Sequence, residues 1–352
     1  MKAALFYGGK DIRMEEVQNP IPGPGEVLVR VRAAGICGSD LHGYRDASRR
    51  WPGLSVPYMT GHELAGEVAA LGPGVTGLAV GQRVGVEPRH LTGCGRCRWC
   101  RRGDYQLCLE LGAPGGRPVY STGFAEYSLE ATEKCYPLPD DLAIEEAAIL
   151  DVYAVGVHAL HRLPVRPVDT VAVLGAGAIG LATAQVARAA GAGRVIAVGT
   201  RDKSLEVAKR LGCDEVLNAT QSDVVEAVGA MTGGAGVEVV FEAVGGRAST
   251  LAQAIEIASR GGRVGIVGSF VEPQTLDPRL CMRKELTLRW VWSYGLWTGV
   301  PEYKIALDML SDGRVQAAPL ITHRFPLDRI SEAFAAADDK RRSAAIKVLV
   351  LP

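Results

Sequence analysis

Between residues 171 and 267 the chain alternates short apolar runs with helix-forming stretches, and this alternation constrains the fold more than any other feature. Val171-Ala172-Val173-Leu174 reads as a buried strand, Ala178 to Ala190 as a helix, Arg194 to Val198 as a strand and Lys203 to Leu211 as a helix. Val237 to Phe241, Leu251 to Ala258 and Arg263 to Val267 continue the series as strand, helix and strand. Apolar strands each followed by a helix call for a parallel sheet with helices on both faces. The first strand runs into Gly175-Ala176-Gly177-Ala178-Ile179-Gly180, which opens the first helix. In that context Gly175 permits a tight turn, Gly177 lets a pyrophosphate approach the backbone, and Gly180 lets the helix pack on the sheet, with its N-terminus facing the phosphates.

A dinucleotide site of this kind usually has an acidic residue about twenty positions further on, where it holds the adenosine ribose. Here that place reads Val198-Gly199-Thr200-Arg201, and Thr200, Arg201 and Lys203 offer a hydroxyl and two cations instead. A carboxylate repels a 2′-phosphate, whereas a small residue followed by Arg accommodates it. The expected cofactor is therefore a nicotinamide dinucleotide, NADP(H) in preference to NAD(H). Its expected contacts are Gly175, Gly177, Ala178, Ile179, Gly180, Gly199, Thr200, Arg201 and Lys203.

With 352 residues, 47% of them apolar, the chain has material for two cores. The part before residue 150 is β-rich. Val27 to Arg32 alternates with period two behind the turn Pro22-Gly23-Pro24-Gly25, and Val80 to Val86 reads as another short strand. A helix is expected near Tyr303 to Leu310, and a closing strand at Ile346 to Leu351 that rejoins the first domain. Thirty-nine basic and thirty-nine acidic residues balance to zero formal charge, which argues against nucleic acid and anionic membrane as partners. The longest apolar stretch, Val171 to Ala184, is too short and too rich in glycine to span a membrane.

Cys94, Cys97, Cys100 and Cys108 stand as CxxCxxCx7C, a spacing that lets four thiolates meet on one tetrahedral zinc. The rival reading is two disulfides in a secreted protein. The opening Met1-Lys2-Ala3-Ala4 lacks a charged and apolar leader, so a reducing cytoplasm is the expected address and zinc the expected occupant. A closed four-thiolate site holds structure and leaves no position for chemistry. A second set sits nearby: Cys37-Gly38-Ser39-Asp40-Leu41-His42, then Gly61-His62-Glu63, and Asp151 much later. One thiolate, one imidazole and one or two carboxylates make a zinc site that keeps a position open. Taken singly, Cys37 reads as a small core residue, His62 as a core histidine and Asp151 as a helix cap. Their weight comes from occurring together with the other motifs.

In order and spacing, the run Cys37 to His42, Gly61-His62-Glu63, the four-cysteine lobe and Gly175 to Gly180 resemble the zinc-dependent medium-chain dehydrogenases, which include alcohol, sorbitol and threonine dehydrogenases. Val86-Glu87-Pro88 and Val155-Gly156-Val157-His158 look most like the sorbitol and xylitol dehydrogenase branch. The resemblance implies a GroES-like β-rich catalytic domain from residues 1–152 and 291–352, a Rossmann domain at 153–290, an active site in the cleft, and homodimers or homotetramers. It implies one structural and one catalytic zinc per chain, the latter on Cys37, His62 and Glu63. Asp151 falls where the family usually has Glu or Cys, and either ligates directly or holds the metal's water. It further implies that Asp40 orients the imidazole and that Ser39 and His42 relay protons, and Tyr44 is a candidate for the substrate wall. The expected reaction is a reversible hydride transfer from a polyol or other secondary alcohol, giving a ketone. Threonine, a vicinal diol or a cyclitol are alternative substrates, and a non-catalytic zinc-binding relative is the rival from another class. Trp290, Trp292 and Trp297 fit a subunit interface as well as a substrate wall.

Overall fold

The computed structural model describes residues 1–46, 48, 54–112 and 119–352. They form two compact units. One comprises Met1–Asp151, Thr298–Leu307 and Ile321–Pro352, and the other Val152–Trp297 with Asp308–Leu320.

The first unit is organised on a seven-stranded sheet. Its main path runs Ile321–Pro326, Lys347–Leu351, Glu26–Gly35, Glu63–Leu71, Arg83–Val86 and Cys135–Pro137, with Tyr127–Ala131 also paired to Glu26–Gly35. The strand Glu26–Gly35 is the spine, because its alternating residues Val27, Val29 and Val31 all point into the core. A ring cluster fills that core: Phe6 stacks on Tyr58 at 5.5 Å, and Phe334 meets Phe124 at 5.4 Å and Tyr44 at 5.2 Å. Each ring contributes about 1.5–3 kcal/mol by leaving water. The strand expected from Val80 begins only at Arg83. Gly81 adopts φ +87° and Gln82 N–H donates to the Ala79 carbonyl, so a turn occupies the preceding residues.

The second unit carries a six-stranded parallel sheet in the order Glu215–Asn218, Arg194–Gly199, Thr170–Leu174, Val237–Glu242, Ala258–Ile266, Thr287–Trp290. Its central strands are buried along all but one residue each, as a sheet covered on both faces requires. In the covering helix Asp202–Arg210, Ser204, Leu205, Val207 and Ala208 face the sheet while Asp202, Lys203, Glu206, Lys209 and Arg210 face water. The segment Asp308–Leu320 belongs to this unit through Gln316. Its N–H donates to Gln185 Oε1 at 2.7 Å and its carbonyl accepts from Tyr153 Oη at 2.7 Å. Among the described residues, no helix is long and apolar enough to cross a membrane.

Candidate metal and dinucleotide sites

Cys37 caps the helix Gly38–Arg45, and its N–H donates to Asp40 Oδ2 at 2.9 Å, so the first turn of that helix fixes the thiol. His62 and Glu63 stand at the start of the strand Glu63–Leu71, and Glu63 pairs in register with Gly35. A side chain at 35 would collide with the carboxylate, since a Cβ there would lie 2.2 Å from Glu63 Oε2. One ligand atom from each of Cys37, His62 and Glu63 lies within 4.8 Å of the others, and thiolate, imidazole and carboxylate together form a donor set that suits zinc. Both oxygens of Glu63 also accept from Lys347 Nζ at 2.7 Å, with the pair buried on the two strands that flank the spine. Lys347 thus balances the charge of Glu63 inside the core, where an unpaired carboxylate would cost several kcal/mol. Asp151 is buried but stands outside the 4.8 Å group, and its charge reaches His62 and Lys347.

Asp40 Oδ1 accepts from Thr60 Oγ1 at 3.2 Å and faces His62 Nδ1 at 3.8 Å. With Nδ1 on the side of Asp40, Nε2 is the nitrogen that would ligate a metal. Burial opposes charge on this imidazole, but Cys37, Asp40 and Asp151 outweigh it and hold its pKa well above the usual value. Ser39 lies two residues beyond Cys37, and its buried Oγ has no hydrogen-bond partner among the described residues. His42 follows one turn on, on the same helix. Tyr44 is packed in the core against Phe334, under the ammonium of Lys10.

His90 joins this group without having been expected from the sequence. It is buried, its ring meets that of His62 edge-on at 5.3 Å, and it lies parallel to Tyr120 at 6.2 Å. Burial, together with the charges of His62 and Lys134, pushes its pKa well below the usual value and keeps it neutral. The available signal was its position in Pro88-Arg89-His90-Leu91, just before the cysteine lobe, but a lone histidine without periodic partners is ordinarily core.

Cys94, Cys97, Cys100 and Cys108 converge with all four sulfurs within 4.8 Å. Cys97 Sγ lies 3.5 Å from Cys100 Sγ and 3.8 Å from Cys108 Sγ. These spacings exceed a disulfide and match the edge of a tetrahedron with metal–sulfur bonds of about 2.3 Å. Backbone N–H groups of Cys94 and Glu110 point at Cys108 Sγ, at 3.3 and 3.4 Å. The N–H of Cys100 points at Cys97 Sγ and is the main cause lowering that thiol to about 7. The lobe is keyed to its domain by Glu87, whose buried carboxylate accepts from Tyr105 Oη at 2.7 Å, from Tyr136 Oη at 2.8 Å and from Lys134 Nζ.

In the second unit, Gly175 turns the chain at φ +113°, and a Cβ on Gly180 would lie 1.8 Å from the Gly175 carbonyl oxygen. A Cβ on Gly177 would meet nothing within 4 Å, so space stands open above the N-terminus of the helix Ala178–Ala189. These residues fit a dinucleotide pyrophosphate. Gly199 closes on the same turn, since a Cβ there would lie 2.8 Å from that of Ala176. Arg201 caps the helix Asp202–Arg210; Thr200 and Lys203 are exposed. Asp202, the carboxylate next to Arg201, is engaged by Asn218 Nδ2 at 2.6 Å.

A β-rich unit with an open zinc donor set and a closed four-thiolate lobe, joined in one chain to a parallel-sheet dinucleotide unit, defines the class of zinc-dependent alcohol oxidoreductases. Two family models match, the alcohol dehydrogenase GroES-like domain over residues 23–140 and the zinc-binding dehydrogenase over residues 178–312. Sorbitol dehydrogenase of Bacillus subtilis (strain 168) is 33% identical over 100% of this chain and 97% of its own length. A Sinorhizobium meliloti 1021 protein, assigned as a zinc-binding dehydrogenase and bound to NADP, superposes with a TM-score of 0.87 at 32% identity, over 100% of this chain and 99% of that one. An alcohol dehydrogenase of E. coli CFT073 complexed with NADH gives a TM-score of 0.87 at 29% identity, over the same shares of the two chains. The chain belongs to the zinc-dependent medium-chain dehydrogenase superfamily, in its polyol branch.

Proposed function

We propose that this protein oxidises a polyol to a ketone with NADP as the preferred acceptor, working as a homodimer or homotetramer in the cytoplasm. When bound, zinc supplies Lewis acidity that lowers the pKa of an alcohol hydroxyl, and the nicotinamide accepts the hydride. Cys37, His62 and Glu63 would hold that zinc. Asp151, a methylene shorter than Glu and outside their 4.8 Å group, acts on them by charge. A second zinc on Cys94, Cys97, Cys100 and Cys108 would be structural.

The observation that carries the reading is Ser39 Oγ, a buried hydroxyl without a partner among the described residues, two residues from the metal thiol. It accepts the proton of the substrate hydroxyl and passes it towards His42, the imidazole one turn further along the same helix. Asp40 holds Cys37 and keeps His62 oriented. A polyol rather than a simple alkyl alcohol is favoured by His90. Its neutral imidazole beside His62 can donate to one substrate hydroxyl or accept from it. The preference for NADP rests on Thr200, Arg201 and Lys203, and on the engagement of Asp202 by Asn218. Assembly is favoured by the edge strand Thr287–Trp290, where Trp290 is 63% exposed and the following Trp292 51% exposed. A reducing compartment suits eight cysteines of which none is in a disulfide.

The test is the initial rate of nicotinamide reduction by zinc-replete protein, with NADP and NAD in parallel, against sugar alcohols, cyclitols, vicinal diols and threonine. Turnover of a sugar alcohol favouring NADP is the expected result. An NAD preference would overturn the role given to Arg201. Turnover of threonine alone would overturn the polyol reading.

A further inference from the structure

Glu242 is the last residue of the strand Val237–Glu242 and is fully buried. In register it lies beside Leu174, which ends the strand leading into Gly175, and beside Ile266, which ends the next strand. The sheet order reverses direction between Thr170–Leu174 and Val237–Glu242, and a dinucleotide crosses such a sheet at that point. The glycine turn and the strands on its side take the adenosine half. The nicotinamide half therefore falls over the loops that follow Val237–Glu242 and Ala258–Ile266.

Glu242 organises both of those loops. Its Oε1 accepts from the N–H groups of Val244 and Gly245, each at 2.9 Å, and from Thr250 Oγ1 at 2.7 Å. Its carbonyl accepts from Val267 N–H at 2.8 Å and Gly268 N–H at 2.9 Å. The other carboxylate oxygen, Oε2, has no donor among the described residues and lies where a Cβ at position 268 would stand, 2.3 Å away. The two loops are also tied directly, by Gly246 N–H to the Ser269 carbonyl at 2.8 Å. The first loop in turn abuts the fingerprint, since a Cβ on Gly175 would lie 2.9 Å from Val244 Cγ2. A single buried carboxylate thus sets the backbone of the surface on which the nicotinamide half must rest.

We propose that Glu242 is a positioning residue for the nicotinamide half of the cofactor, acting through the backbone of residues 243–246 and 267–269 without touching the ligand itself. This rests on the dinucleotide reading of the second unit and adds a division of labour within it. The adenosine half depends on Gly175–Gly180 and Arg201, and the nicotinamide half depends on Glu242.

Half of the cofactor serves as the control. Kd values for the reduced dinucleotide, and for ADP-ribose or its 2′-phosphate, are measured by calorimetry on wild type, Glu242→Gln and Thr250→Val, with zinc content and melting temperature recorded. Glu242→Gln replaces charge-assisted hydrogen bonds with neutral ones and is expected to weaken the reduced dinucleotide about tenfold or more, leaving the ADP-ribose ligand within about twofold. Thr250→Val removes one donor and is expected to weaken only the dinucleotide, by about threefold. Equal weakening of both ligands, or no change in either, overturns the proposal, and Thr250→Val decides the matter even if Glu242→Gln fails to fold. A wild-type protein that binds neither ligand would overturn the dinucleotide reading itself.

Discussion

Ser39 and His90, two residues of the proposed site, differ in how far the sequence announces them. Ser39 could be proposed from the sequence because it sits inside Cys37-Gly38-Ser39-Asp40, a local string whose geometry is set by one helix turn. His90 was not, because its meaning comes from a ring contact with His62 across the fold. Ser39→Ala is expected to lower kcat/KM by about 10²- to 10⁴-fold with zinc content and melting temperature unchanged, as steady-state kinetics and metal analysis would register. His90→Phe is expected to lower kcat/KM for a sugar alcohol by about tenfold while sparing a simple secondary alcohol, the loss of about one hydrogen bond. The partner of Glu63 was equally hidden, since Lys347 lies 284 positions away in sequence. Glu130 is a further case. Burial pushes its carboxyl up from 4.5 to about 7, against the Ser128 and Ser121 hydroxyls and Arg89. The unfolded chain therefore ionises first, and folding stability falls as pH rises from about 4.5 to about 7, then levels off. Glu130→Gln is expected to flatten that slope and, at pH 8, to raise stability by up to about 3 kcal/mol in thermal or urea melts, with no gain at pH 4.5.

Elements built from local pattern were read within a few residues, and those that depend on a turn or on distant contacts were not. The helix expected over Lys203 to Leu211 forms as Asp202–Arg210, because its buried and exposed residues follow helical spacing. The strand expected from Val80 lost its first residues to the turn at Gly81. The cysteine lobe contains little regular structure, a helix of four residues at Arg98–Arg101 and a 3₁₀ turn at Tyr105–Leu107; the Glu87 anchor ties it to its domain, and the metal proposed for its four thiolates would supply the rest. Cys100→Ser is accordingly expected to reduce zinc from two to one per chain by metal analysis and to lower the melting temperature, with ADP-ribose binding retained because the dinucleotide unit has its own core.

For the whole molecule, the edge strand Thr287–Trp290 leaves backbone groups and two indoles towards solvent. If this edge carries the proposed assembly, a charge placed there breaks it, so Trp290→Glu is expected to elute later than wild type on gel filtration with its zinc content intact. The parallel sheet, the fingerprint turn and the clustering of four cysteines could be read in the chain because each depends on residues a few positions apart, where backbone sterics and ligand spacing act directly. The segment Asp308–Leu320 shows where that reach ends, since the hydrogen bonds that Gln316 donates to Gln185 and accepts from Tyr153 join it to the parallel-sheet unit. The same holds for the placement of Lys347 against Glu63, of His90 against His62, and of Glu242 beneath two loops. Those pairings join residues whose proximity follows from packing and burial, and only the folded chain brings them into one low-dielectric interior where their charges and hydrogen bonds must be satisfied together.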